Sequence, residues 1–255
     1  SVGESVENPL KYYGNNIGSL VTLLRVMGRH GVEDIVFSSS CTVYGDSDRL
    51  PITESTPAED AASPYGHTKV VCERMLRDVS TAEPKLKAVM LRYFNPIGAH
   101  PSAAIGELPI GTPNNLVPFI TQAAAGIRGK LTIFGDDYDT PDGSCIRDYI
   151  HVVDLAKAHV KALAWMKERP APICEAFNLG TGQGSSVLEA VRTFEEVTGV
   201  KVPHAIGPRR PGDVMAMYAD TTKSRDVLGW SAELTLADAL RDAWRWQQVL
   251  GEDQK

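Results

Sequence analysis

Residues 63–69 read SPYGHTK, and how that stretch folds decides what the rest of the chain can be. Ser63 suits a helix N-cap and Pro64 the favoured first helical position, so a helix is expected over 63–80 with Tyr65 in its first turn. The four-residue step from Tyr65 to Lys69 then puts a phenol and an ammonium on one helix face. An ordinary phenol, with a pKa of about 10, is protonated at neutral pH and becomes a useful base only where a cation stabilises its anion. Lys69 is such a cation. The same spacing also occurs on helices whose exposed residues do no chemistry, so the surrounding elements must decide.

Upstream, EDIVFSSS (33–40) is a short apolar run that reads as a buried parallel strand ending at Ser38, Ser39 and Ser40. Ahead of it, residues 7–30 carry apolar positions at helical spacing and are expected to form one helix, with Gly31 as its C-cap. Downstream, KAVMLRYFNPIG (87–98) reads as a strand halted by Pro96 and Gly98. Strand, helix and strand therefore alternate as in an α/β protein. Ligands of such sheets gather at the carboxyl ends of strands, which places Ser40, Tyr65 and Asn95 near one edge.

Beyond residue 100 the pattern changes. The loop HPSAAIGELPIGTPNNLVP (100–118) is long and rich in Pro and Gly, the usual mark of a functional loop or a domain boundary. A helix at 115–128, a strand LTIFG, a strand–helix pair over 146–166, a strand AFNLG and helices near 186–199 and 235–250 follow. The division expected is a first domain over 1–100, to which about 145–180 returns, and a smaller mixed α/β domain over most of 101–255. We find no internal repeat or low-complexity tract.

With 255 residues, 43% hydrophobic and 23% charged, the chain has a globular composition. A formal charge of −6 argues against nucleic acid or an anionic membrane as partner, since both reward a basic surface. Cys41, Cys72, Cys145 and Cys174 are far apart and form no CxxC or Cys/His cluster, so neither metal site nor disulfide framework is expected, and a reducing cytoplasm suits them. No apolar run approaches the roughly 18 residues that span a bilayer.

NLGTGQGSS (178–186) is the most cofactor-like glycine motif. It falls short of a dinucleotide fingerprint, because Ser185 stands at the third glycine position and no acidic residue follows at the ribose-binding distance. A tight turn is the preferred reading. The residues ahead of strand 33–40 contain no Gly-rich turn either, so the chain reads as starting inside a partial Rossmann-type doubly wound parallel sheet whose N-terminal strands are missing. On that reading the polypeptide alone is expected to be inactive.

Taken together, SVGESVENPLKYY, FSSSCTVYGD, SPYGHTK, LRYFNPIGAH, PNNLVPFI, DYDTPDGSCIRDYIHVVDLAKAH, GPRRPGDV and LGW closely resemble the UDP-glucose 4-epimerase family of extended short-chain dehydrogenases/reductases. The resemblance covers nearly the whole chain. It implies an isomerase with bound NAD that interconverts UDP-galactose and UDP-glucose by oxidation at C4, rotation of the keto-sugar and re-reduction. By resemblance Tyr65 is the catalytic base, Lys69 lowers its pKa and holds the nicotinamide ribose, and Ser40 hydrogen-bonds the reacting oxygen. Ser38, Ser39 and Tyr93 match cofactor-side positions. Arg147, Arg210 and Asp213 match positions around the diphosphate and uridine ribose, where a planar guanidinium suits phosphate. Asn95, Asn115 and Leu116 match contacts to the sugar nucleotide, and Phe134 the segment around uracil. Met217 matches a position that limits sugar size, which implies a preference for UDP-glucose and UDP-galactose over their N-acetyl analogues. A homodimer pairing the helices at 7–30 and 63–80 is implied as well.

The alternatives are an epimerase of another UDP-sugar (pentose, uronate or N-acetylhexosamine) and a non-catalytic uridine-nucleotide-binding remnant. A 4,6-dehydratase fits poorly, because Ser40-Cys41-Thr42 stands where that group carries an Asp-Glu pair.

Overall fold

A computed structural model of the chain describes residues 2–47, 49–59, 61–210 and 212–252. In chain order its first elements are α1 (Val2–Glu7), α2 (Pro9–Tyr12), a π-helical turn (Tyr13–Ile17), α3 (Gly18–His30), β1 (Asp34–Ser40), a 3₁₀ turn (Cys41–Tyr44), α4 (Pro64–Ala82) and β2 (Lys87–Tyr93). Then come β3 (Asn95–Ile97), α5 (Leu116–Ala124), β4 (Leu131–Phe134), β5 (Ile146–Arg147), β6 (Tyr149–His151), α6 (Val152–Lys167) and β7 (Ile173–Leu179). The chain closes with β8 (Ser185–Ser186), α7 (Val187–Thr198), β9 (His204–Gly207), β10 (Ala216–Met217), α8 (Thr222–Leu228) and α9 (Leu236–Glu252).

Two compact units result. The first comprises residues 1–93, 157–179 and 220–230; the second comprises 94–156, 180–219 and 231–255. The first unit thus regains 157–179 and also 220–230, a segment that the sequence alone had placed in the second.

The first unit is built on a parallel sheet in the order β1-β2-β7. Its register ends Ser40 against Tyr93, and Tyr93 against Leu179, so these residues mark the carboxyl edge. Leu20 and Met27 of α3, Cys72 and Leu76 of α4, Ile35 of β1 and Met90 of β2 fill one core. Each large side chain removed from water there contributes about 1.5–3 kcal/mol.

Helix α4 starts where Ser63 and Pro64 predict, with the Ser63 hydroxyl accepting the Gly66 amide at 3.1 Å. Gly66 is required for a second reason: a Cβ there would lie 2.8 Å from the Thr42 carbonyl oxygen, so only glycine lets α4 approach the turn after β1.

Three expectations need correction. The helix expected over 7–30 begins at Val2 and is broken into α1, α2, the π turn and α3. The π turn leaves the Asn16 carbonyl free to accept the Cys72 thiol at 3.8 Å and sets the Asn16 amide on the Thr68 hydroxyl at 2.8 Å. The strand expected over 87–98 is likewise two strands, because β2 pairs with β7 whereas β3 pairs with β6. The helix expected at 115–128 also stops short, at Ala124, ahead of Gly126 with φ +70°.

In the second unit, short strands pair as β10-β5-β8, β3-β6 and β4-β9. Val117 and Ile120 of α5, Phe194 of α7 and Leu240 of α9 share its core with Ile133 and Tyr149. Helix α7 opens with a capping box between Ser186 and Glu189.

Candidate active site

The first unit brings Ser38, Ser39, Ser40, Tyr65, Lys69 and Tyr93 together at the carboxyl edge of its sheet. Burial pushes the Tyr65 phenol above its ordinary range, and the nearby Ser40 hydroxyl pulls it back. Ser40 Oγ accepts the Thr42 amide at 3.2 Å and the Thr42 hydroxyl at 3.0 Å. With its lone pairs engaged, its own proton is left to donate.

Lys69 takes a different posture from the one expected. Its Nζ donates to the Ser38 carbonyl at 2.9 Å and lies 5.6 Å from the Tyr65 ring centre and 5.0 Å from that of Phe37. Burial lowers its pKa. The ammonium therefore stands beside the phenol ring, one N–H committed to the strand end and two others open to a ligand.

The backbone of the pair is also secured. The Tyr65 amide donates to Ser5 Oγ at 3.1 Å, and its carbonyl accepts the Thr68 hydroxyl at 2.7 Å. Tyr93 is raised by burial, against which a Ser38 contact acts, and its hydroxyl meets His159 Nε2 at 3.1 Å.

A residue that sequence reasoning missed joins this group. Glu73, one turn beyond Lys69, accepts Ser39 Oγ at 2.6 Å and both Nε (2.8 Å) and Nη2 (2.6 Å) of Arg92. Burial pushes its carboxyl up, but the Arg92 and Ser39 hydrogen bonds and the Arg92 charge prevail and hold it below the ordinary range. The repeated four-residue step Tyr65, Lys69, Glu73 was the available signal.

The second unit gathers another set. Asp213 accepts Arg210 Nε at 3.1 Å and Nη2 at 2.7 Å, and Arg147 Nη2 approaches it to 3.6 Å. Arg147 Nη1 is fixed by the Ile146 and Val214 carbonyls, each at 2.8 Å. The Arg210 guanidinium lies 5.4 Å from the Phe134 ring, and Met217 pairs in register with Arg147. Phe134, Arg147, Arg210, Asp213 and Met217 thus form one cluster with two cations and a half-exposed aromatic. Asn95 is tied to it through Asp148, whose carbonyl accepts the Asn95 amide at 2.9 Å while its own amide reaches the Met217 carbonyl at 3.1 Å. The Asn115 side-chain amide donates to Glu107 at 2.8 Å, and Leu116 packs against the core of the same unit. Pro211, within the GPRRPGDV motif, lies outside the described residues.

Whether these residues suit NAD is tested by the glycine turn. The amides of Thr181 (2.7 Å) and Gly182 (3.2 Å) and the Thr181 hydroxyl (2.7 Å) all donate to the buried Asp148 carboxylate. A Cβ at Gly180 would lie 2.3 Å from Asp148 Oδ2. An internal carboxylate thus takes the place that a pyrophosphate would need. The serine-ended sheet edge, by contrast, suits the nicotinamide–ribose half, with Lys69 and Tyr65 as polar groups beside it.

Residues 1–180 match the sequence profile of the NAD-dependent epimerase/dehydratase family. The chain belongs to that family. Within this epimerase/dehydratase family it is 51% identical over 249 residues to the UDP-glucose 4-epimerase of Dictyostelium discoideum, covering 98% of this chain and 72% of that protein. A UDP-glucose 4-epimerase structure from Stenotrophomonas maltophila, with bound NAD and formylated UDP-arabinopyranose, superposes with a TM-score of 0.96 at 49% identity, covering 99% of this chain and 74% of the other. That from Bifidobacterium longum, in complex with NAD+ and UDP, gives 0.93 at 49% identity over 98% and 73%.

Proposed function

We propose that this chain is a UDP-glucose 4-epimerase that interconverts UDP-galactose and UDP-glucose. The observation that carries the reading is a half-buried Tyr65 phenol near Ser40, with the Lys69 ammonium 5.6 Å from its ring and fixed on the Ser38 carbonyl at the end of the same strand. NAD would be held by Lys69 with Ser38, Ser39 and Tyr93 beside it, and would supply a hydride acceptor and donor for sugar C4.

Tyr65 removes the proton of the sugar 4-hydroxyl, and Ser40 donates to the same oxygen as it becomes a carbonyl. Burial alone keeps the phenol protonated, so the base depends on positive charge nearby, and the Lys69 ammonium supplies part of it. Lys69 also holds the nicotinamide ribose, while Ser38, Ser39 and Tyr93 line the cofactor side. Arg147, Arg210 and Asp213 hold the diphosphate and ribose of the nucleotide, Phe134 borders uracil, and Asn95, Asn115 and Leu116 contact the sugar nucleotide. Tight nucleotide binding with few sugar contacts allows the 4-keto sugar to turn over before the proton and hydride return.

We assign residues 1–93, with the segments that rejoin them, to the cofactor and the second unit mainly to the sugar nucleotide. The protein acts as a homodimer in the cytoplasm: Leu23 and Val26 leave exposed apolar surface on α3, and all four cysteines are free thiols suited to a reducing compartment.

The test is turnover of UDP-galactose deuterated at C4 by the NAD-loaded full-length protein that carries this chain. UDP-glucose that keeps the deuterium at C4 is expected. Loss of label to solvent, or no product, overturns the reading.

A further inference from the structure

The three serines that end β1 each meet one residue of a single stripe on α4. Ser40 stands near the Tyr65 phenol and lowers its pKa, the Ser38 carbonyl accepts Lys69, and Ser39 Oγ donates to Glu73. The first two contacts involve groups assigned to the reaction. The third involves a carboxylate that touches no reacting atom, yet it has the firmest geometry. Glu73 and Arg92 are nearly inaccessible, with side chains 2% and 3% exposed, and they meet through a two-pronged fork. Arg77 Nη2 adds a further bond to Glu73 at 2.9 Å. The network continues through Arg92 Nη1 to the Tyr44 hydroxyl at 2.8 Å and from that hydroxyl to Asn178 Oδ1 at 2.6 Å. It therefore links α4, all three strands of the parallel sheet and the turn that carries Thr42.

A buried ion pair is weak evidence for net stability, since well-packed apolar residues often serve as well. A bidentate fork, on the other hand, fixes angle and register in a way that apolar contacts do not. Shifting α4 along β1 by a fraction of an ångström would change the Lys69–Ser38 hydrogen bond directly, and with it the place of Tyr65 beside Ser40, because both ends lie on the two elements that Glu73 joins.

We propose that Glu73, through Ser39 and Arg92, is a positioning residue for the reaction, setting the register of α4 against β1 so that Lys69 stays on the Ser38 carbonyl and Tyr65 stays beside Ser40. This inference rests on the epimerase reading for its kinetic consequence, and its structural consequence stands apart from it.

The test uses Glu73→Gln, Arg92→Lys and the double variant Glu73→Leu/Arg92→Met in NAD-loaded protein. We expect kcat for UDP-galactose to fall about 10- to 100-fold in each, with KM and UDP affinity within about threefold. In the double variant thermal stability should recover while kcat stays low. A crystal structure of Glu73→Gln should put Lys69 Nζ beyond about 3.5 Å from the Ser38 carbonyl, against 2.9 Å here. Variants that fold with wild-type kcat and an intact Lys69–Ser38 contact overturn the proposal; so does a double variant in which kcat recovers with stability. If none of the three folds, the pair is a core element only and the proposal is rejected. A wild-type protein without epimerase activity would remove the functional reading, whereas the crystallographic result would still decide the register claim.

Discussion

Thr42 gives Ser40 Oγ two donors, its amide at 3.2 Å and its hydroxyl at 3.0 Å, which leaves the Ser40 proton to donate. Ser40 therefore acts as a fixed donor. Replacing it by alanine removes that donor from the oxygen where charge develops. Ser40→Ala is expected to lower kcat about 10- to 100-fold while leaving UDP affinity unchanged, measured by steady-state kinetics and calorimetry. Unaltered kcat would show that the bond has no part in the chemistry.

Arg147 is held by two backbone carbonyls and faces Asp213, so its guanidinium is oriented before any ligand arrives. A hydrogen bond to a charged group contributes about 1.5–3 kcal/mol. Arg147→Met is therefore expected to weaken UDP binding by one to two orders of magnitude, with a much smaller change in kcat. Calorimetric titration with UDP decides, and equal affinities would remove Arg147 from the nucleotide site.

Tyr44 gives a pH dependence of stability. Burial, opposed by the Arg92 charge and hydrogen bond, pushes its phenol from 10.0 to about 12 in the folded state. Between these values the unfolded chain loses its proton first, so the folded state binds more protons and stability falls as pH rises. The loss attributable to Tyr44 is about 1 kcal/mol between pH 9 and pH 11. Urea unfolding should show Tyr44→Phe losing less stability than wild type over that interval, although the variant starts lower for want of its bonds to Arg92 and Asn178. Parallel pH curves would contradict the assignment.

Much of this architecture could be read before any coordinates. The Ser63-Pro64 start of α4, the Gly31 cap and the strand ending at Ser40 follow from local residue chemistry and appear where expected. The breaks did not announce themselves, because distant partners set them. The π turn is held by Thr68 and Cys72, more than fifty positions away. β2 ends and β3 begins where pairing switches from residues 173–179 to 149–151. At the site, the Tyr65/Lys69 spacing was plain, whereas the Ser38 carbonyl as partner of Lys69 and the Asp148 carboxylate filling the glycine turn depend on tertiary contacts.

Met217 is buried and paired in register with Arg147, and on the proposed reading its flexible thioether limits the space for a 2-N-acetyl group. The wild-type protein is expected to prefer UDP-galactose over UDP-N-acetylgalactosamine. Met217→Ala should shift the ratio of kcat/KM toward the N-acetyl sugar by about tenfold, the scale set by a few methylene-sized atoms. Equal turnover of both sugars by the wild type would refute the size limit.

The central claim is that the Tyr65 oxygen takes the proton from the sugar. Its most direct measurement is the rise in absorbance of reduced nicotinamide when NAD-loaded protein is mixed with saturating UDP-galactose, compared with Tyr65→Phe. The ring and its packing survive that change, so UDP affinity should stay nearly constant while the reduction rate drops about 10²- to 10⁴-fold. A Tyr65→Phe protein that reduces its cofactor at close to the wild-type rate would contradict the account.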